Sequence, residues 1–137
     1  MSEFPFEDSF SSEASTRGVR IRVHAVYDPV RSEPANQQWF FLYTVTISNL
    51  GEHTVQLLSR HWIIEDESGQ VEEVRGPGVV GEQPVLPPGG SFEYTSGCPL
   101  GTPSGTMKGS YRMVEKDGES FEAEVAPFLL SEPLPVN

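Results

Sequence analysis

The sequence predicts an all-β protein, a two-sheet antiparallel β-sandwich of the immunoglobulin or fibronectin type III kind. Three observations point there. Twelve prolines and thirteen glycines are scattered through 137 residues, and no helix-length stretch keeps an apolar i, i+3, i+4, i+7 pattern clear of them. Period-two alternation of apolar and polar residues recurs instead. Turn signals separate the alternating runs at the short spacing of a sandwich.

The first clear strand is RGVRIRVHAVY, with Val19, Ile21, Val23, Ala25 and Tyr27 on one face and Arg20, Arg22 and His24 on the other, as a half-buried antiparallel strand requires. WFFLYTVTISN comes next, with Trp39, Phe41, Tyr43, Val45 and Ile47 on one face. Its other face changes from Phe40 and Leu42 to Thr44, Thr46 and Ser48, so one end of this strand is expected to be buried on both sides. Asn49-Leu50-Gly51 is a turn, and TVQLLSRHWIIED is a strand whose phase shifts near Ser59 and Arg60, the mark of a bulge or bend. Glu67-Ser68-Gly69 closes a hairpin into QVEEVR, where Val71 and Val74, three apart, break strict alternation. GPGVVGEQPVLPPGGS is a long loop, too rich in Gly and Pro for a helix. SFEYTSG is a short strand with Phe92 and Tyr94 on one side. Residues 105–115 set Met107, Tyr111 and Met113 against Lys108, Ser110 and Arg112. Lys116-Asp117-Gly118-Glu119 is a hairpin turn with Asp-Gly at its centre, and SFEAEVAPF returns with Phe121, Ala123 and Val125 facing in.

About seven strands result, in one domain spanning residues 17–130. Residues 1–16 are rich in Ser and Glu, include Phe4, Phe6 and Phe10, and carry no alternation; they are expected to be a flexible N-terminal tail, and residues 131–137 a loose C-terminal one.

Hydrophobic residues make up 36% and charged residues 21% of the chain, the mixture of an ordinary folded core. Nine Lys and Arg against twenty Asp and Glu give a net charge of -11, which opposes any sequence-independent grip on nucleic acid. No apolar run approaches the roughly 20 residues of a membrane span, and MSEFPFEDSF lacks the basic start and apolar middle of a signal peptide. A cytoplasmic location without membrane contact is expected. One cysteine, Cys98, excludes an internal disulfide and a multi-cysteine zinc site.

Four strings, VQLLSRHWIIED, VEEVRGPGVVGEQPVL, PGGSFEYTSGCPL and GTMKGSYRMV, occur in an order and spacing that resembles the ApaG family, over about residues 19 to 128. The resemblance implies a fibronectin type III-like sandwich. It also implies a genetic association with cobalt resistance and magnesium efflux, and gene adjacency to a diadenosine tetraphosphate hydrolase. Related domains in larger eukaryotic proteins look like partner-binding modules. No catalytic residues come with it. The expectation is a non-catalytic binding module with a protein partner and a regulatory role in cobalt and magnesium homeostasis.

The most pointed motif is Gly76-Pro77-Gly78-Val79-Val80-Gly81, which fits G-x-G-x-x-G. A dinucleotide fold needs a strand before that string and a helix after it, and the prolines beyond Gly81 exclude the helix. What survives is an anion-binding nest of backbone N–H groups. In it Arg75, Gly76, Gly78 and Gly81 would bind a phosphate, a pyrophosphate or another phosphorylated small molecule against the local field of Glu72, Glu73 and Glu82. The alternative is that these glycines serve a tight crossing between sheets.

His24, His53 and His61 show no ligand spacing, and Cys98 lies apart from them, so no cobalt or zinc cage and no cofactor is expected. Glu65, Asp66 and Glu67 at a hairpin tip offer weak magnesium ligation, but a solvated acidic turn is the simpler reading. Ser59 and His61 share a strand face without an orienting carboxylate or oxyanion pocket. His61 and Trp62 are instead expected to anchor the interior or rim. Cys98 has no neighbouring cation to activate it. Two surfaces remain for recognition: the loops at 76–83 and 96–104, which would form one binding edge if they sat at the same end, and the sheet edges, which would admit a partner strand or a second copy as a homodimer.

Overall fold

The structure, a computed structural model, describes residues 10–133. The described strands are β1 (Ser11–Thr16), β2 (Val19–Tyr27), β3 (Trp39–Asn49), β4 (Val55–Asp66), β5 (Val71–Pro77), β6 (Val85–Leu86), β7 (Ser91–Leu100), β8 (Ser104–Glu115) and β9 (Ser120–Ser131), with a 3-10 turn at Pro34–Asn36. They form two antiparallel sheets in the order β1-β2-β3-β7 and β5-β4-β8-β9, with the short β6 beside β4. Among the described residues no helix is long and apolar enough to cross a membrane.

The alternating faces read in the sequence pack inward in β2, β3 and β8, and in β9 as far as Val125. Val19, Ile21, Val23 and Ala25 of β2 and Phe41, Tyr43, Val45 and Ile47 of β3 are buried against Leu57, Trp62 and Ile64 of β4, Met107, Tyr111 and Met113 of β8, and Ala123, Val125, Phe128 and Leu130 of β9. The phase shift in β4 is a bulge: its register against β8 slips between Leu57 and Ser59. One residue is added there, so Arg60 falls into phase with Trp62 and Ile64 on the inward side. A second slip falls where Met107 and Gly109 of β8 face Phe128 and Val125: the extra residue is in β9, whose inward face moves there from Ala123 and Val125 to Phe128 and Leu130.

Four expectations need correction. Residues 11–16 belong to the sheet: they pair with β2 from Ser11 opposite His24 to Thr16 opposite Val19. Ser11 and Ser12 are buried, Ser11 Oγ 2.7 Å from His24 Nδ1 and Ser12 Oγ donating to the Ala126 carbonyl at 2.7 Å. A ladder of main-chain hydrogen bonds needs no apolar side chains, so alternation could not reveal this strand. Phe10 lies within the described residues, its carbonyl accepting from Ala25 N at 2.9 Å, whereas Phe4 and Phe6 lie outside them. At the other end Ser131 still pairs with Ser104, one residue past the expected domain boundary. The loop expected after Arg75 begins later and is divided, because β5 continues through Pro77 and β6 forms at Val85–Leu86. Finally, β7 does not stop at Gly97 but runs to Leu100.

Candidate functional site on the open side of the sandwich

The two sides of the sandwich differ. On one, edge strands β1 and β9 are stitched together: Ser12 Oγ reaches Ala126 O, and Thr16 Oγ1 accepts from Glu124 N at 3.1 Å. On the other, the edges are β5 and β7. Asp66 N donates to Gln70 O, and with Glu65 opposite Val71 the antiparallel alternation commits residues 72, 74 and 76 to β4 and turns the N–H groups of Val71, Glu73 and Arg75 outward. The same reasoning from Asn49 N to Gly90 O leaves Glu93, Thr95 and Gly97 with outward N–H groups on β7. Pro99 falls in that outward set, where a missing N–H breaks no ladder bond.

Between these edges runs a cleft. Its outer part, about 410 Å³, is lined by Ile64, Asp66, Gln70, Val71 and Glu72 on one wall and Pro99, Leu100 and Gly101 on the other. Its inner part, about 230 Å³, shares Ile64, Glu72 and Pro99 and reaches Tyr43, Arg60, Trp62, Val74, Ser96 and Cys98. The inner wall is aromatic. Trp62 meets Tyr43 edge-on at 5.4 Å, Tyr111 at 5.9 Å and Phe128 at 6.1 Å. Behind it the hydroxyls of Tyr94 and Tyr111 lie 2.5 Å apart. Burial pushes all three tyrosines, Tyr43, Tyr94 and Tyr111, above the ordinary phenol range. Burial likewise pushes the Cys98 thiol up to about 12.

Arg60 closes the inner part. Its Nη1 donates at 2.9 Å to both Pro77 O and Gly78 O. Gly76, directly across the ladder, makes room for it, since a methyl group there would stand 2.9 Å from Nη2.

The sequence-predicted anion residues do not converge on one point. Gly76 lies within β5 beneath Arg60, while Arg75 is its neighbour on the opposite face, exposed and 3.3 Å from Glu73. Gly78 and Gly81 take positive φ, 61° and 80°, around a tight turn that also forces Val80 to φ 42°. The Gly78 N–H is spent on Leu58 O, and Val79 and Glu82 bond each other in both directions at 2.8 Å. The loops at 76–83 and 96–104 sit at opposite ends: the first lies beyond the far end of β5, and the second meets the 66–70 hairpin, where Thr102 Oγ1 accepts from Glu67 N at 3.1 Å. They form no common edge.

The remaining candidates have structural partners. His61 Nε2 lies 2.8 Å from Glu73 Oε1, and that hydrogen bond chiefly holds the Glu73 carboxyl below its usual range. Asp66 is also held low, first by the Ser68 hydroxyl at 2.6 Å, and it organises the hairpin tip through bonds from Ser68 N and Gln70 N. Glu115, Asp117 and Glu119 bring carboxylates together, a grouping that sequence spacing did not single out. Arg17 sits on it at 3.2 Å from Glu115 and 3.1 Å from Glu119, supplying the neutralising cation.

A sandwich with one sealed and one open side thus offers hydrogen-bonding edges, a cationic head and an aromatic wall, the equipment of a recognition domain. The ApaG domain profile matches residues 29–115 of the chain. Protein ApaG of Rhodopseudomonas palustris strain TIE-1 is 56% identical over 120 residues, covering 88% of this chain and 92% of that protein. Protein ApaG of Nitrosospira multiformis is 51% identical over 122 residues, covering 89% and 96%. The crystal structure of a putative ApaA protein from Bordetella pertussis superposes with a TM-score of 0.82 at 54% identity, covering 84% of this chain and 94% of that one. The C-terminal domain of wzt shares the fold alone, at a TM-score of 0.52 and 14% identity. The chain belongs to the ApaG family.

Proposed function

We propose that this chain is a non-catalytic recognition module that binds a protein partner as an extended segment along the open side between β5 and β7. The observation that carries the reading is the asymmetry of the sandwich: β1 and β9 are bonded to each other, while β5 and β7 present outward main-chain N–H groups above a cleft. Edge strands of this kind take an additional strand through main-chain bonds, and side-chain pockets beside them set the choice of partner. A role in cobalt and magnesium homeostasis would be exerted through such a partner in the cytoplasm. The test is a displayed library of ten-residue segments selected against the purified chain, with binding mapped on ¹⁵N-labelled protein. Perturbations concentrated at Val71, Glu73 and Arg75 or at Glu93, Thr95 and Gly97 support the reading, and selected segments that map elsewhere refute it.

A phosphate or pyrophosphate at the glycine loop is the second reading, favoured by the successive positive φ values at Val80 and Gly81 and weakened by the amides already spent at Gly78, Val79 and Glu82. Pyrophosphate titrated to millimolar concentration decides it: unmoved amides at 75–82 remove the reading.

A further inference from the structure

We infer that the inner part of the cleft is a carboxylate-binding site, with Arg60 and the Trp62 indole N–H as its donors. Two independent observations meet there. The first is Trp62 itself, 2% exposed, whose Nε1 is buried without a hydrogen-bond partner. Buried donors are nearly always satisfied, so an orphan on a residue that lines a cavity marks a place where an acceptor belongs. The orientation fits. A methyl group on Gly109 of β8 would stand 3.1 Å from Trp62 Cε3, so that edge of the indole faces β8. Cε3 and Nε1 lie on opposite edges of the ring, so Nε1 is on the edge turned away from Gly109.

The second observation is Arg60. Arg17, Arg22, Arg31, Arg75 and Arg112 each have a carboxylate within salt-bridge distance; among the described residues Arg20, on the outward face of β2, and Arg60 do not, and of these two Arg60 is the one that lines the cleft. Arg60, half-buried between the sheets in a chain of net charge -11, has none among the described residues. Its bonds to Pro77 O and Gly78 O both run through Nη1. That anchoring holds the guanidinium in place and leaves Nε and Nη2 without a hydrogen-bond partner among the described residues, on a side chain that lines the cavity with Trp62, Tyr43 and Ser96.

A monoanion fits better than a phosphate. One guanidinium supplies the charge, and Glu72 on the same wall opposes a second negative charge on the ligand. At about 230 Å³ the space suits a carboxylate group with a short stem, either a small carboxylic acid or the end of a peptide. This inference rests on the reading of the open side as a recognition face and names the group it would receive.

The chain has two tryptophans, so its indole N–H groups give two ¹⁵N cross-peaks. Trp39 Nε1 already donates to Glu132 at 3.0 Å and serves as the internal reference. Acetate titrated against a chloride control of equal ionic strength should move the Trp62 cross-peak downfield and leave that of Trp39 in place. Arg60→Gln should weaken the response about tenfold, the loss expected for a charge-assisted hydrogen bond. A short peptide with a free C-terminus that matches acetate, while its amidated twin does not, assigns the source to a chain end; a response to acetate alone assigns it to a small acid. A Trp62 cross-peak that stays still in acetate, answers equally to chloride, moves only with inorganic phosphate, or is unaffected by Arg60→Gln overturns the inference. The two readings fail separately: acetate binding with no selected segment on the edges leaves the site and removes the peptide, and segment binding on the edges with a motionless Trp62 does the reverse.

Discussion

Tyr111→Phe is the sharpest test of the packing that supports the cleft. Tyr111 is fully buried and Tyr94 is 8% exposed. Their hydroxyls, 2.5 Å apart, are hydrogen-bonded to each other. Removing one hydroxyl deletes a hydrogen bond worth about 1 kcal/mol net and strands the other hydroxyl in an apolar setting, at a cost of about 1–3 kcal/mol. The single variant should therefore lose about 2 kcal/mol, and Tyr94→Phe about the same. The double variant removes donor and acceptor together while keeping both rings, so its loss should be well below the sum, about 1–2 kcal/mol. Urea unfolding followed by far-ultraviolet circular dichroism measures all four corners of the cycle, with a coupling of about 2 kcal/mol expected. Additive single losses would refute the argument, because they would show that each hydroxyl is satisfied without the other.

The raised tyrosines also set an alkaline limit. A phenol whose folded pKa lies above its unfolded value keeps its contribution below about pH 10 and loses it as pH climbs toward the folded value, by about 1.4 kcal/mol per pH unit for each group. Urea midpoints should thus fall steadily above pH 10 and fall less steeply in the Tyr94→Phe/Tyr111→Phe double variant; flat midpoints contradict the burial of these groups. Cys98, 2% exposed and with its thiol pushed up to about 12, should resist a thiol-specific reagent at pH 8 in native buffer and react at once in urea; fast native labelling would show an open β7. Gly109→Ala places a methyl group on the His61 carbonyl oxygen and should cost more than about 3 kcal/mol. Gly69→Ala, at φ 87° but with open space around it, should cost only about 1 kcal/mol; comparing their urea midpoints checks the order.

Where side chains alternate, the fold was legible. The inward faces of β2, β3 and β8, and of β9 as far as Val125, followed from period two alone, and the slip at Leu57 and Ser59 followed from the broken phase of VQLLSRHW; the change of phase in β9 that brings Phe128 and Leu130 inward was not read. Strand β1 was not legible, because its place is held by main-chain bonds and two buried serines rather than by apolar side chains. The end of β7 was hidden for a different reason. Gly97-Cys98-Pro99 has the composition of a turn, yet Gly97 is small because the Phe40 ring occupies the space a side chain would take, and Pro99 is tolerated because its nitrogen faces the open edge. Composition records that a glycine or proline is needed and is silent on whether a turn or a neighbour needs it.

The candidate site was legible only in part for the same reason. Strand alternation by itself separates Arg75 from Gly76, since consecutive residues of β5 point to opposite faces, so a motif written as a contiguous string was bound to scatter once its first half proved to be strand. Carrying the bulge in β4 forward to Arg60 would have set that residue beside Trp62 on the inward side. What no reading of one chain segment supplies is the difference between the two sides of the sandwich, which depends on β1 reaching β9 across some hundred residues of sequence. That closure leaves β5 and β7 as the borders available to a partner. They are guarded, with Glu72, Glu73 and Arg75 and a terminal Pro77 on one and Glu93 and Pro99 on the other, the devices that stop edges from pairing indiscriminately. A guarded edge beside an unfilled donor pocket selects: a strand that brings only main-chain bonds meets the charges, and one that also brings a carboxylate to Arg60 and Trp62 gains a charge-assisted bond there.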